Sequence, residues 1–154
     1  PMQREISPAH RQSMLEQAAL APRLRVHELW HPGPEDAVHR LVIAAQPGSR
    51  FMPHCHPTQW EILIPLQGSL DLLYFSAAGQ LQARHALQPG DVIQLPPAQP
   101  HALYIHQPCC FFEVKPGPLQ AAAFLSGFPA EAEPLATALL DWYAEARIGE
   151  AWSA

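Results

Sequence analysis

His54 and His56 stand one residue apart in the stretch GSRFMPHCHPTQWEILIPLQG, which runs from Gly48 to Gly68. Side chains alternate between faces along an extended strand, so this spacing projects both imidazoles from one face as a ligand pair. Glu61 follows the turn-forming Pro57-Thr58-Gln59, so the chain can double back and bring a carboxylate from the next strand beside the imidazoles. His101 follows the proline-rich LPPAQP and opens the alternating run His101-Ala102-Leu103-Tyr104-Ile105, which reads as another strand. Three imidazoles and one carboxylate form a nitrogen and oxygen donor set for a divalent first-row transition metal, with Fe, Mn, Ni and Zn as candidates. A lone histidine is more often a turn cap or a satisfied core residue; the spacing of the full set favours metal. Four protein ligands on an ion that prefers six leave up to two positions for water, substrate or dioxygen, which describes an open site.

Other reactive side chains are weaker candidates. Cys55 lies between the two histidines, but strand alternation points its thiol to the opposite face, so packing is its expected role. With Cys109 and Cys110 the cysteine count is three, and neighbouring cysteines pair only with strain, so reduced thiols are expected. Arg40 shares the Val42 face of its strand, where it is either a snorkelling surface residue or an anion donor to a cavity. No Ser-His-Asp set, glycine-rich phosphate loop or pair of carboxylates near a turn is present, which leaves hydrolase and kinase chemistry without support.

The elements that must position the ligands follow from the punctuation of the chain. Its 18 prolines concentrate at element boundaries such as Pro47, Pro53, Pro57, Pro65, Pro89, Pro96 and Pro100, as expected for many short strands. Ser7-Pro8 reads as a helix N-cap with proline at the first helical position, and a helix over about 8–21 follows with Leu15, Ala18 and Ala19 on its apolar face. Strands are expected over 24–30, 38–46, 69–75, 81–87, 92–95, 101–105 and 110–115. The segment Val38 to Gln46 is apolar on both parities, which implies burial on both faces. Residues 119–128 read as an arm across the sheet, and a second helix is expected from Pro134 to Ile148 with Gly149 as its stop. Its stripe of Leu135, Leu139, Trp142, Tyr143 and Ala146 needs a partner, either its own barrel or a second copy in a homodimer.

A chain of 154 residues fits one domain, 1–154, with its barrel over about 24–118 and a C-terminal arm and helix over about 119–149. The formal charge of −5 and nine scattered basic residues argue against nucleic acid and anionic lipid as partners, leaving a small molecule. No stretch approaches the roughly 20 apolar residues of a membrane span, and the N-terminus lacks a signal-peptide core, so a cytoplasmic location is expected. Pro1 before Met2 reads as an expression remnant or as the native second residue after methionine removal.

Gly48, His54, His56, Glu61 and Gly68 together resemble the first motif of the cupin superfamily, and Gly90, Pro96 and His101 resemble the second. Ala98 stands where that family usually has glycine, and Ile105 where it often has asparagine. The resemblance implies a mainly β protein: a cupin double-stranded β-helix, or jelly-roll-like barrel, with the four ligands facing inward and a helix at each end of the chain. The N-terminal helical stretch, AAQPGSRFMPHCH, Trp60-Glu61 and Phe112 to Pro118 are more narrowly similar to the WbuC-like cupin-fold metalloproteins, small bacterial proteins often associated with surface-polysaccharide gene clusters. That similarity implies fold and metal rather than a reaction; the open site leads us to expect a protein that binds or transforms a sugar or a keto- or hydroxy-acid derivative, with an oxygenase or isomerase type of cupin as the enzyme reading. The alternative is a non-catalytic ligand-binding or sensor module. Lys115, the sole lysine, lies in the similar segment and joins Arg40 as a candidate for pairing with an anionic ligand, while Glu113 has no assigned role.

Overall fold

The computed structural model describes residues 3–154, so Pro1 and the reading attached to it lie outside the described residues. In chain order the elements are α1 (Pro8–Leu20), β1 (Arg25–Leu29), β2 (Val38–Ala45), β3 (His54–Cys55), β4 (Glu61–Gln67) and β5 (Leu70–Phe75). They continue with β6 (Leu81–Leu87), β7 (Ile93–Leu95), β8 (His101–Tyr104), β9 (Cys109–Pro116), β10 (Ala123–Phe124) and α2 (Leu135–Glu145). The strands form two five-stranded antiparallel sheets, one ordered β1-β2-β9-β4-β7 and the other β10-β3-β8-β5-β6. This is the double-stranded β-helix expected from the motifs.

Strand parity decides which residues meet between the sheets. Leu41, Ile43, Leu63, Leu95 and Phe111 from the first sheet pack with Leu70, Leu72, Leu87 and Leu103 from the second in one buried cluster. The opposite parity of β2 and β9 supplies Val42, Ala44 and Cys110, which are covered by Met14, Leu15 and Ala18 of α1. That cover explains why β2 is apolar on both faces. Met14 takes the place expected for Ala19, which is exposed, because the helix leans its second turn onto β2. Ser7 caps α1 by accepting a hydrogen bond from the His10 backbone N–H at 3.1 Å, with Pro8 at the first turn.

The C-terminal helix docks on its own barrel. Ala136, Leu139, Tyr143 and Ala146 pack against Leu73, Phe75, Leu81 and Ala102 on the outer face of the second sheet. Complete burial of Leu139 and Tyr143 contributes about 1.5–3 kcal/mol each, and the Tyr143 hydroxyl finds a partner by donating to the Phe51 carbonyl at 2.9 Å. Leu135, expected in the stripe, is exposed, and Ala136 is buried in its stead. The helix stops at Glu145 rather than at Gly149, because the chain leaves helical geometry at Ala146 and joins the sheet edge through the Gly149 N–H to the Leu81 carbonyl and a Gln80–Ala151 bridge.

Two further expectations need correction. Pro65 lies inside β4, at a register irregularity between Pro65 and Gln67, where a bulge tolerates the missing N–H. The arm at 119–128 contributes a strand, β10, which pairs with β3 so that Phe124 stands opposite His54.

Two turns carry opposite backbone demands. Gly68 has φ +69°, and a Cβ there would meet the Pro108 carbonyl oxygen, so only glycine fits without displacing backbone. Ala98, in the turn before β8, has φ +64°, which costs an alanine roughly 1–2 kcal/mol, and its N–H donates to the His56 carbonyl at 2.8 Å. The glycine usual in cupins at this place therefore has a physical reason. Gly68→Ala is expected to lower the thermal midpoint by at least several degrees, and Ala98→Gly to raise it by about 1–3 °C once the added freedom of the unfolded chain is subtracted. Thermal melts of both variants check this, and a destabilised Ala98→Gly would contradict it.

Candidate metal centre

His54 and His101 are directly paired across β3 and β8, and His56 follows β3 immediately. Glu61 opens β4 in the opposite sheet, so the site closes one end of the interior between the two sheets. One ring nitrogen from each of His54, His56 and His101 lies within 4.8 Å of the others. Glu61 Oε2 is 3.4 Å from His56 Nε2 and 3.4 Å from His101 Nε2. His56, Glu61 and His101 are buried, and His54 is half-buried. Cys55 pairs with Ala123 of β10 and places no sulfur in the cluster.

Hydrogen bonds around the cluster fix the protonation of two of its rings. His54 Nδ1 lies 2.8 Å from the Met52 carbonyl, and His101 Nδ1 lies 2.9 Å from the Gln99 carbonyl. A carbonyl only accepts, so both Nδ1 atoms carry the proton, and in each neutral ring Nε2 keeps a lone pair for the cluster. Glu61 Oε2 has no hydrogen-bond partner, nor does His56 Nδ1, although both atoms are buried. Lone pairs and a carboxylate that face one another at this range repel unless a cation or a proton sits among them. The histidine contacts of Glu61 lack hydrogen-bond geometry, which favours a cation over a shared proton. The donor set present therefore fits a divalent metal.

The electrostatics agree. Burial pushes His54 down to about 4, with the neighbouring His101 ring acting in the same direction and the bond to the Met52 carbonyl opposing it. At neutral pH the ring is thus an uncharged donor. Burial alone would push the Glu61 carboxyl up, but the nearness of the His101 and His56 rings outweighs it and holds the group well below the usual carboxylate range.

The remaining candidates separate. Arg40 lies on the parity of Val42, away from the interior; it is 40 % exposed, with Nη2 3.6 Å from Asp36 Oδ1, and is not brought to the cluster. Asp36 offers it a near counter-charge in water, and α1 covers only the far part of that face. Lys115 and Glu113 share the inward parity of Phe111, and continuing the Ile62–Val114 register by one residue sets Lys115 beside Glu61 in the sheet. Tyr74 was not singled out from the sequence. It stands opposite His101 in β5, on the inward face, and its hydroxyl is raised by burial and then by the charge of Glu61. Its parity with Leu70 and Leu72 is visible in the sequence, but its pairing with β8 is not. A cavity of about 460 Å³ also reaches His54, between the loop at Arg50 to Pro53 and the arm that carries Phe124.

His54→Ala and His56→Ala are each expected to lower metal content sharply, by tenfold or more in affinity, while Cys55→Ser leaves it nearly unchanged. Elemental analysis of the purified variants decides, and loss of metal in Cys55→Ser equal to that in His54→Ala would contradict the assignment. In metal-free protein, the unfolded chain binds a proton at His54 near pH 6.5 that the folded chain refuses until about pH 4. Stability should therefore fall as pH drops through that window, by up to about 3 kcal/mol. Glu61 adds a further loss as pH falls below the ordinary carboxylate range, because its folded form is held ionised. Melts of chelated wild type and His54→Gln between pH 7 and pH 4 check this: the variant should show the flatter curve above pH 4.5.

Solved structures share this fold at low identity. The chain is 17 % identical to oxalate oxidase in complex with the substrate analogue glycolate, with a TM-score of 0.55 over 68 % of this chain and 57 % of that one. It is 17 % identical to a protein with a double-stranded β-helix domain from Klebsiella pneumoniae subsp. pneumoniae, with a TM-score of 0.53 over 66 % of this chain and 84 % of that one. A cupin superfamily protein from Desulfitobacterium hafniense matches at 14 % identity and a TM-score of 0.50, over 60 % of this chain and 76 % of that one. The chain thus spans little more than half the length of the oxalate oxidase it matches. No curated protein matches the sequence. The model of the family described as "Domain of unknown function (DUF6016)" matches residues 6–87, more than half of the chain, and the chain, with its cupin fold, belongs to that family.

Proposed function

We propose that this protein binds a divalent first-row metal through His54, His56, Glu61 and His101, and uses it to bind or transform a small polar metabolite, an α-hydroxy or α-keto acid or a related sugar derivative. The observation that carries the reading is the buried, unpartnered Glu61 Oε2 facing the Nε2 atoms of His56 and His101. A bound metal would act as a Lewis acid or oxygen activator toward ligands in its open positions. The chain's own part is to hold two rings by the Met52 and Gln99 carbonyls and to exclude water from three of the four ligands by burial. Tyr74 offers a hydroxyl that its surroundings keep protonated, fitted to donate to an anionic ligand. With three neutral imidazoles and one carboxylate, a divalent site retains a charge near +1, which attracts an anionic oxygen donor. The glycolate of the oxalate oxidase structure is such a donor in a protein of the same fold.

Kinship with the WbuC-like proteins, and with it a role in surface-polysaccharide metabolism, is the narrower form of this proposal. It is supported by the stretch around His54 and by Phe112 to Pro118, where the Gln59 side chain donates to the Pro118 carbonyl at 3.2 Å and so ties the ligand turn to that segment. A cytoplasmic location belongs to the same reading, supported by three free cysteines, two of them buried. Burial pushes the Cys109 thiol up to about 12 and Cys110 up to about 11, which keeps both unreactive.

Cobalt- or copper-substituted protein titrated with citrate, oxalate and 2-oxoglutarate tests the open site through the metal's visible absorption. A saturable spectral change at or below millimolar ligand is expected. An unchanged spectrum with metal bound would identify a closed structural site.

A further inference from the structure

The cavity beside His54 carries an imbalance of charge that the metal reading does not use. Its walls hold three guanidinium groups, Arg23, Arg25 and Arg50, and two carboxylates, Glu131 and Glu133. Glu131 is shared: Arg23 approaches it with two bonds of 2.8 and 2.7 Å, and Arg25 Nη1 lies 3.0 Å away. The Glu133 carboxylate accepts from the Ala130 N–H at 2.9 Å and meets no arginine. Arg50 donates only to neutral oxygens, the carbonyls of Glu131 and Glu133 at 2.8 and 3.3 Å and Thr137 Oγ1 at 2.8 Å. Its Nε–H and one Nη2–H have no partner among the described residues. Arg25, with a side chain 7 % exposed, lies over the Phe51 ring at 4.4 Å, and its buried Nε has no hydrogen-bond partner. The free donors of half-buried Arg50 stand open to a ligand, whereas the buried Nε of Arg25 is closed to one. Apart from His54 the rest of the lining is apolar and includes Phe124 and Phe128, and the volume of about 460 Å³ suits a small organic molecule.

We infer that this cavity is a binding site for an organic carboxylate with an apolar, ring-sized body, its carboxylate held by the free donors of Arg50 beside the Arg25 charge and its body lying against Phe124 on the approach to His54. Cation and apolar wall occur together, so the site discriminates on both: a neutral analogue loses the guanidinium bonds and a short acid loses the wall. The inference holds whether or not the histidine cluster carries metal.

3-Phenylpropionate titrated calorimetrically into the full chain tests it, with 3-phenyl-1-propanol and propionate as controls. The acid is expected to bind saturably, and each control at least about tenfold more weakly. Arg50→Gln should weaken the acid about tenfold and the alcohol little, and Phe124→Ala should weaken it several-fold with an unchanged melting point, since Phe124 is 70 % exposed. His101→Ala, which removes a candidate metal ligand but no wall of the cavity, should leave binding in place. Equal affinity for acid and alcohol, or binding lost in His101→Ala and kept in Arg50→Gln, would overturn the inference. The first outcome leaves the metal reading untouched and the second supports it, so the two readings fail separately. Should an arginine variant not fold, the acid and alcohol comparison on the unmodified chain decides alone.

Discussion

Three imidazole nitrogens and a carboxylate oxygen converge at one end of the barrel with no hydrogen-bond donor among them. Left alone, such a group is a concentration of lone pairs in a poorly hydrated place, and folding would pay to assemble it. The surrounding structure nonetheless holds it from several directions. β3 and β8 are locked by pairing His54 with His101, β4 brings Glu61 from the other sheet, and the turn before β8 is fastened to His56 by the Ala98 N–H. Ala98 even accepts an unfavourable φ to do so. Strain and two unsatisfied buried polar atoms at one place mark where the sequence departs from stability alone.

The clustering of His54, His56, Glu61 and His101 was legible because it depends on local rules. Alternation puts His54 and His56 on one side, proline-rich turns end the strands that carry them, and Glu61 begins the next strand after a short reversal. The sheets were legible for the same reason, since nearly every expected strand falls within a residue or two of its place. Helix boundaries were less so. α2 stops before its glycine because the following residues are recruited by the Leu81 edge, a tertiary contact that no capping rule anticipates.

What could not be read was which face of a doubly apolar strand looks inward, and which distant strands become neighbours. Val42 and Leu41 are equally apolar; only the docking of α1 on Val42 assigns Arg40 to the outside. Tyr74 becomes a neighbour of the cluster through the β5–β8 pairing, across a separation that periodicity does not span. Arg25 and Arg50 were invisible as a pair for the same reason. The residues that turn them into a cavity, Phe124 to Glu133, come from an arm expected only to lie across the sheet.

That arm links the two ends of the site. β10 sets Phe124 opposite His54, with ring centroids 5.8 Å apart, and a few residues later the chain supplies the single carboxylate that Arg23 and Arg25 share. The position of the arm is therefore coupled to a charge balance. As long as Glu131 bridges two guanidiniums, the cavity keeps a net positive charge and β10 stays against β3. An anion that competed with Glu131 for Arg25 would weaken the tie that holds the arm down. Arg50 binds the arm through backbone carbonyls instead, so it keeps its grip whatever the anion does. The geometry thus favours a ligand that takes the free donors of Arg50 first, leaving the Glu131 bridge and the wall beside His54 intact.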